Sequence, residues 1–371
     1  MKILIFSERD IKHPWGGGSP LNIHEQARRW IGAGHEVTMV TTRPRGATYT
    51  DTIDGLTVFR AGSRYTVYFC AAFLYLAGLR KRADVVVDII NGIPFFTPLF
   101  CRKPKVAIMH HVHREMFLIE LGPVLGRLGR AIEQYLVPLL YRNVPIVSSS
   151  RSTIVHMEQL LYRGSALDVS IAYNGIDHDF YQPGEQKFDK PTVLYLGRVK
   201  KYKRIPMLIE MMQRVRAELP DAELIIAGGG DAVEESMAAV DRMGAGEYIH
   251  FRGYVDEDEK LRLYQKAWVV ATASMVEGWG LTVVEANACG TPAVAFDVPG
   301  LNESIIHGET GLLSRNRQEF TDNLVSTLSD EAVRNKLSQG AMAWAASFTW
   351  EQTASATLAM MKQSMNGSRP V

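Results

Sequence analysis

Residues 274–303, SMVEGWGLTVVEANACGTPAVAFDVPGLNE, decide how the rest of the chain is interpreted. Their pattern predicts a strand end, a loop with Gly278 and Gly280, a helix from near Leu281, a turn, a second strand and a further loop. Glycines let the backbone turn sharply and approach a ligand closely. The unpaired N–H groups at the start of the helix point back at the loop, and such a helix start suits a phosphate.

Two carboxylates, Glu277 and Glu285, bracket this loop and the first turns of the helix. They are free to accept hydrogen bonds from hydroxyl groups of whatever molecule carries the phosphate. The stretch therefore predicts a nucleotide-sugar site. Each residue also has a plainer interpretation, because Glu277 could cap the helix and Glu285 could be a solvated helical side chain.

Short apolar runs alternate with helical patterns over residues 1–183 and again after a polar stretch at 184–190. This alternation predicts parallel sheets with helices on both faces. The chain has 371 residues, 46% of them apolar, which favours two domains. We predict an α/β chain with two Rossmann-like, doubly wound domains, 1–183 and 184–347, and a C-terminal helix within 348–371. Ligands of such sheets bind beyond the carboxyl ends of the strands, so we expect the site in a cleft between the domains.

Runs rich in β-branched residues and bounded by polar residues or proline predict the individual strands. In the first domain these runs are 3–7, 36–41, 85–90, 106–109 and 146–149. In the second domain they are 193–197, 223–228, 248–253, 268–273 and 293–296. A long helical pattern at 115–141 is predicted to break near Gly122 and Pro123.

The net charge of +1 does not suggest a nucleic-acid partner. Residues 1–180 hold 21 Lys/Arg against 15 Asp/Glu, and this mild basicity fits either chance scatter or an anionic acceptor or membrane surface. Three cysteines without metal-ligand spacing predict a reducing, cytoplasmic compartment, and the N-terminus does not have the pattern of a signal peptide. The apolar run 65–79 is shorter than a bilayer span.

That run, which ends in Arg80, Lys81 and Arg82, is predicted to be a buried helix. The alternative is a helix that lies on the inner face of an anionic membrane with the three cations at the headgroups.

Arg198 and Lys203 follow a predicted strand and lie five residues apart at the head of the next helix. Two cations and a helix start at one strand end can hold a diphosphate and offset the charge of a departing nucleotide. Lys200, Lys201 and Arg204 surround them, so the sequence leaves open which lysine points inward, and a solvated basic helix start is the plain alternative.

The pair of glutamates eight residues apart, followed by ACGTPAVAFDVPGLNE, resembles the retaining glycosyltransferases of family four, which have the GT-B fold and include the glycogen-synthase and phosphatidylinositol-mannosyltransferase-like group 1 enzymes. The resemblance covers nearly the whole chain and is looser in the first half. It implies that a sugar passes from a UDP- or GDP-sugar to an acceptor hydroxyl with retention of configuration. It also implies that the last helix crosses back to the first domain.

The resemblance assigns roles to residues of the second half. Arg198 and Lys203 match the cations that hold the leaving diphosphate, Glu277 the residue that reaches the donor sugar, and Glu285 the one that binds the ribose hydroxyls. Further donor-binding candidates come from three loops. They are Gly228 and Gly229; Tyr254 and Val255; and Gly278, Trp279, Gly280, Leu281 and Thr282.

In the first half, the family places a Gly-Gly loop near the diphosphate and a histidine near the reacting sugar. Gly16, Gly17 and Gly18 match the loop, for which a mobile surface loop is the alternative. His110 is the best match for the histidine, and His111 and His113 are candidates on the acceptor side. Their spacing does not put three metal ligands on one face.

No metal or cofactor is expected, since the cations and the helix start neutralise the diphosphate. The triplet Asp177-His178-Asp179 resembles a metal-binding motif of another glycosyltransferase fold, but it follows a turn at the end of the first domain, and we predict no metal there. Two other functions stay open: a nucleotide-sugar epimerase on a similar scaffold, and a non-catalytic nucleotide-sugar binder. The expected partners are the donor and an unidentified hydroxyl acceptor.

Overall fold

The computed structural model describes residues 1–163 and 167–367. The chain divides into two compact units, Ile176–Thr349 and a unit made of Met1–Gly175 together with the chain from Trp350 onward. The sequence predicts the boundary at 183, whereas the structure divides the chain after Gly175. The segment from Ile176 belongs to the second unit because it contacts that unit. The N–H of Ile176 donates to the carbonyl of Phe348 at 3.3 Å.

An eight-stranded sheet forms the core of the first unit. Its strands are β1 (Lys2–Phe6), β2 (Glu36–Thr41), β3 (Thr50–Ile53), β4 (Leu56–Arg60), β5 (Val85–Ile90), β6 (Lys105–Met109), β7 (Ile146–Ser148) and β8 (Val169–Ile171). The spatial order is β3-β4-β2-β1-β5-β6-β7-β8. All neighbouring strands are parallel except β3 and β4, which form an antiparallel hairpin.

Helices cover both faces of this sheet. They are α1 (Gly18–Gly32), α2 (Val67–Ala77), α3 (Thr97–Phe100), α4 (Glu115–Ala131), α5 (Val137–Tyr141), α6 (Arg151–His156) and the C-terminal helix (Trp350–Met365). The predicted break in the long helical pattern is confirmed, since Gly122 has φ 74° and ψ −178° inside α4. π-helical turns follow α4 and α6, at Ile132–Leu136 and Met157–Leu161.

Successive residues of β1 point to opposite faces of the sheet, as strand geometry requires. Ile3 and Ile5 pack in the cluster that contains α1 and the C-terminal helix. Leu4 and Phe6 pack in the cluster that contains α2, and α5 packs farther along the same face. Because both faces are covered, central strands such as β5 are apolar at almost every position rather than alternating.

The prediction that residues 65–79 form a buried helix is wrong. Only Val67, Ala71 and Tyr75 of α2 are buried, while Phe69 and Phe73 are 77% and 70% exposed. An all-apolar sequence cannot show which side faces the core, and here α2 is a surface helix whose outer side is also apolar. None of the helices among the described residues is long and apolar enough to cross a bilayer.

The second unit contains a six-stranded parallel sheet. Its strands are β9 (Thr192–Leu196), β10 (Glu223–Ala227), β11 (Ile249–Gly253), β12 (Val269–Thr272), β13 (Ala293–Phe296) and β14 (Gly311–Ser314). They lie in the order β11-β10-β9-β12-β13-β14. The helices are α7 (Ile205–Glu218), α8 (Val233–Met243), α9 (Glu257–Lys266), α10 (Leu281–Ala288), α11 (Leu301–Ser304), α12 (Arg317–Ser329) and α13 (Glu331–Ala345).

Every strand predicted from the sequence is present, with ends that agree to within one residue. Four further strands, β3, β4, β8 and β14, were not predicted from the sequence. In the second unit β9 lies beside both β10 and β12, so the loops that leave these three strands meet at one edge of the sheet.

Candidate active site

The centre of the candidate site in the second unit is an ion pair between Lys203 and Glu277. Lys203 ends the 3₁₀ turn Lys201–Lys203 after β9, and Glu277 lies in the loop after β12. Ser274 adds a hydrogen bond to the same carboxylate oxygen at 2.7 Å. Two neighbouring parallel strands thus bring together groups that are 74 positions apart in the sequence.

Lys203 stays charged in this environment. Burial lowers the pKa of its ammonium, but the carboxylate of Glu277, with Tyr202 and Tyr195, more than offsets burial and leaves the pKa above its usual value. The two side chains are 14% and 17% exposed, so solvent still reaches the pair. A ligand with anionic and hydroxyl groups could therefore contact both partners.

The structure also identifies the lysine that points inward. Lys200 pairs with Asp231 at 2.5 Å, and Lys201 is exposed, which leaves Lys203 as the lysine directed to Glu277. Arg204 has a structural role, because its guanidinium donates to the carbonyl of Ala273 at 2.6 Å at the end of β12. The plain interpretation of this segment as a solvated basic helix start is therefore wrong for Lys203.

Arg198 lies two residues after the end of β9 and is half-buried. Its guanidinium Nη2 lies 3.5 Å from the hydroxyl of Tyr202, in the same turn that carries Lys203. The segment between β9 and α7 therefore carries both Arg198 and Lys203 on the carboxyl side of β9.

The glycine loop after β10 is fastened to both neighbouring loops. Gly228 donates its N–H to the carbonyl of Gly253 at 2.7 Å, and Val199 donates to the carbonyl of Gly229 at 2.9 Å. Gly228 has φ 137°, and a Cβ at this position would lie 1.9 Å from the carbonyl oxygen of Gly197. Only glycine fits there, so the close approach of loops explains at least part of the Gly-Gly-Gly sequence.

The helix α10 begins directly after the Glu277 loop, with Gly280 at its N-cap position. Glu277 lies three residues before this N-cap position, and its carboxylate contacts Lys203 and Ser274. The first turn of α10 carries no acidic side chain. Gly278, Leu281 and Thr282 are half-buried at this end of the helix.

Glu285 lies in the second turn of α10 and is only 2% exposed, so it is not a solvated helical residue. Its carboxylate accepts hydrogen bonds from Tyr264 at 2.9 Å, Lys260 at 3.1 Å and Tyr181 at 3.3 Å. These three partners were not predicted from the sequence, because no local motif marks them. The pKa of Lys260 is raised, because Glu285 and Glu257 more than offset the effect of burial.

Two of the donor-binding candidates differ sharply in exposure. The indole of Trp279 is 2% exposed and packs edge-on against Phe348, with ring centroids 5.0 Å apart, so this side chain is part of the core of the unit. Tyr254 is 87% exposed after β11, next to the half-buried Val255. Trp279 can therefore contribute to a site only through its backbone.

In the first unit, Gly16 and Gly17 have positive φ, and Gly18 begins α1. Arg9, in the loop after β1, donates from its guanidinium to the carbonyl of Gly16 at 2.8 Å. Arg9 was not among the predicted site residues, although it follows the carboxyl end of β1, where ligands of parallel sheets bind.

His110 follows β6 and is 7% exposed. Burial, assisted by the charge of Arg9, lowers the pKa of its imidazole to about 4. Its Nε2 is buried without a hydrogen-bond partner among the described residues. A neutral imidazole with one unused nitrogen can donate to or accept from a ligand, but at neutral pH it carries no charge.

His111 and His113 stack with ring centroids 4.0 Å apart. The loop that carries them is held by Glu133, in the π-helical turn after α4, whose carboxylate accepts the backbone N–H groups of His113 at 2.7 Å and Arg114 at 2.8 Å. Burial raises the pKa of Glu133 to about 7, although the two backbone N–H groups act in the opposite direction. Glu133 was not predicted, since a glutamate inside a helical pattern carries no signal of this contact.

Asp177 has a local structural role. Its carboxylate accepts the N–H groups of Asp179 at 3.1 Å and Phe180 at 3.2 Å, and His178 contacts the carbonyl of Phe348 at 2.9 Å. The described residues contain no group of three or more His, Cys, Asp or Glu side chains arranged to hold a metal ion.

The fold is that of the GT-B glycosyltransferases. The structure superposes on sucrose-phosphate synthase from Thermosynechococcus elongatus with a TM-score of 0.83 and 20% sequence identity, over 99% of each chain. It also superposes on HepE of Anabaena in complex with UDP-glucose, with a TM-score of 0.74 and 18% identity, over 97% of this chain and 99% of that one. At these identities the superpositions establish the fold alone.

Residues 178–344 match the family model of the group 1 glycosyl transferases. A D-inositol 3-phosphate glycosyltransferase of Mycolicibacterium smegmatis is 30% identical over 236 residues, which are 59% of this chain and 53% of the relative. The chain thus spans about half the length of this curated relative.

Proposed function

We propose that this protein is a retaining glycosyltransferase, which moves a sugar from a UDP- or GDP-sugar to an acceptor hydroxyl. The Lys203–Glu277 ion pair carries the proposal, because it places a cation and a carboxylate together at the carboxyl edge of the sheet, beside the start of α10. A nucleotide sugar needs both, a cation for the diphosphate and an acceptor for the sugar hydroxyls. The group 1 family match and the UDP-glucose complex of HepE support this choice of donor.

In the proposed reaction the bond between the anomeric carbon and the diphosphate oxygen breaks first, and negative charge grows on the leaving group. Lys203, Arg198 and the N–H groups at the start of α10 stabilise that charge in place. Since these groups neutralise the diphosphate, the proposal requires no metal ion and no organic cofactor. Glu285 is proposed to accept from the ribose hydroxyls while Lys260 and the two tyrosines fix its orientation.

Retention is proposed to occur without an enzyme-bound intermediate. Glu277 is committed to Lys203 and Ser274, which suits donor binding better than nucleophilic attack. The acceptor hydroxyl then attacks from the face that the diphosphate leaves, and a diphosphate oxygen takes its proton. The buried, neutral His110 is proposed to serve the reaction by hydrogen bonding rather than as a cationic acid.

Two substitutions test the assignment. We expect Glu277→Ala and Lys203→Ala each to lower kcat/KM by about 10²-fold or more, because each removes stabilisation of the transition state. Lys201→Ala is the matched control, since it removes an exposed lysine from the same turn. The assay measures nucleotide release from UDP- and GDP-sugars. Phosphorylated polyols and sugars are the first acceptors to test, since the similar proteins include a D-inositol 3-phosphate glycosyltransferase and a sucrose-phosphate synthase. Wild-type turnover in both variants would refute the proposal.

NMR of the product tests the remaining points. The product should keep the anomeric configuration of the donor, and inversion would contradict the retaining mechanism. Donor incubated without acceptor should keep its stereochemistry, whereas an epimerised sugar would identify an epimerase instead. Tight donor binding without transfer to any acceptor would favour the non-catalytic binder.

A further inference from the structure

The outer side of α2 exposes large apolar side chains. Tyr65, Phe69 and Phe73 follow one another at intervals of four residues and are 65%, 77% and 70% exposed. This spacing places Phe69 and Phe73 on one side of α2, Tyr65 lies in the turn before the helix, and Leu76, 51% exposed, extends the row. The inner side, with Val67, Ala71 and Tyr75, already covers the sheet, so the outer row is not needed for the core of the unit.

The apolar surface continues beyond α2. The short helix α3 packs against both α2 and α5, and all three helices cover the same face of the sheet. Leu99 on α3 is 68% exposed, and Leu139 on α5 is 64% exposed. Their outward sides therefore form one apolar face, which we call the α2–α5 face. Exposed apolar areas built from several neighbouring elements mark surfaces that bind a partner.

Cations lie at the C-terminal ends of the helices that form this face. Exposed basic residues begin one to three residues after the end of each helix. They are Arg80, Lys81 and Arg82 after α2, Arg102 and Lys103 after α3, and Arg142 after α5. Residues 65–142 contain ten Lys/Arg and five Asp/Glu. Two of those five acids, Asp88 and Glu133, are buried, which makes the accessible charge of the segment still more positive.

We propose that the α2–α5 face binds the surface of an anionic lipid bilayer. An apolar, aromatic row flanked by cations matches the interface of such a bilayer, where acyl chains lie next to anionic headgroups. A protein partner would also bury the aromatic row, but it would not by itself require cations after all three helices. Each cation near an anionic membrane raises the affinity about fivefold. The proposal concerns membrane attachment and is independent of the reaction proposed above.

Co-sedimentation with vesicles tests the proposal without any activity assay. The full chain is mixed with vesicles of phosphatidylcholine and phosphatidylglycerol in equal parts, and with vesicles of phosphatidylcholine alone. We expect binding to the anionic vesicles that weakens as salt rises from about 0.1 to 1 M. The double variant Phe69→Ser/Phe73→Ser should lower the partition coefficient at least about tenfold. Replacing the three cations 80–82 by serine should lower it about a hundredfold on anionic vesicles only.

Met237→Ser is the matched control, because it removes an exposed apolar side chain from α8 of the other unit. It should bind like the wild type, and unfolding midpoints should show that all variants remain folded. The proposal is overturned if the wild type does not bind anionic vesicles, or if both sets of α2–α5 variants bind as it does. It is also overturned if sedimentation equilibrium reveals a dimer that the Phe69/Phe73 variant loses while vesicle binding is unchanged, since the face would then join two copies of the chain.

Discussion

The ion pair of Lys203 and Glu277 illustrates how a site residue depends on a distant partner. Both side chains are largely removed from solvent, so loss of one partner leaves the other with an unpaired charge in a partly buried position. Removal of one partner is therefore expected to destabilise the second unit as well as to weaken the proposed binding of donor.

A double-mutant cycle measures this coupling. Lys203→Met, Glu277→Gln and the double variant, compared by urea unfolding, should give an interaction energy of about 1–3 kcal/mol. The exposed pair Arg317–Glu210, at 2.9 Å in the same unit, is the control and should give less than about 1 kcal/mol. Equal coupling in the two pairs would show that burial adds nothing to the Lys203–Glu277 interaction.

His110 is expected to remain neutral well below neutral pH. Its pKa in the folded protein is about 4, against 6.5 for a solvated histidine. The unfolded chain therefore binds an extra proton between these values, and the contribution of His110 to stability is complete above pH 6.5 and declines as pH falls toward 4. NMR should show its ring signals unchanged from pH 8 to about 5.5. A titration midpoint above about pH 6 would contradict the proposed burial.

At the level of helices and loops, Glu133 couples a π-helical turn to the histidine loop. Burial raises the pKa of Glu133 from 4.5 to about 7, so the folded state holds a proton that the unfolded chain releases in that interval. Its contribution to stability is therefore greatest below pH 4.5 and is lost as pH rises to 7, with a total change of about 3 kcal/mol.

Glu133→Gln removes this titration. Between pH 4.5 and 8 the variant should gain up to about 3 kcal/mol in unfolding free energy relative to the wild type, measured by urea unfolding at several pH values. Glu158→Gln is the control, since Glu158 is an exposed glutamate in the other π-helical turn of the unit. A difference between wild type and Glu133→Gln that does not vary with pH would show that Glu133 is ionised at all these values.

There are physical reasons why some elements could not be predicted, or were predicted wrongly, from the sequence. The hairpin of β3 and β4 turns at Asp54 and Gly55, both with positive φ. The Asp-Gly pair is the sequence signal of this turn, whereas the strands beside it are short. β8 has only three residues, all half-buried, and its short run shows no strong alternation. The prediction for α2 failed for another reason, since hydropathy reports composition and not which side of a helix is covered.

Over the whole molecule, the end of the chain stabilises the unit formed by its beginning. The C-terminal helix packs on α1, and the indole of Trp30 donates to the carbonyl of Ala354 at 3.0 Å. Met361 is fully buried in this contact, whereas Met365 on the same helix is 39% exposed.

Met361→Ala should lower the stability of the first unit by about 2–5 kcal/mol, because it leaves a cavity in a packed core. Met365→Ala should change it by less than about 1 kcal/mol. Hydrogen exchange followed by mass spectrometry should show faster exchange in α1 and β1 of the Met361 variant, with the strands of the second unit unchanged. Uniformly faster exchange in both units would indicate that they do not unfold separately.

The sequence by itself determined the ten main strands, the two α/β sheets and the strand–loop–helix segment with Glu277 and Glu285. These features follow from local patterns of apolar residues, glycines and caps, which short stretches of chain already specify. Only the tertiary structure decided that Lys203 rather than Lys200 meets Glu277, that Glu285 is held by Lys260 and two tyrosines, and that α2 exposes its phenylalanines. Each of these depends on which distant segments pack together, because burial and ion pairing are properties of the folded neighbourhood and not of the residue.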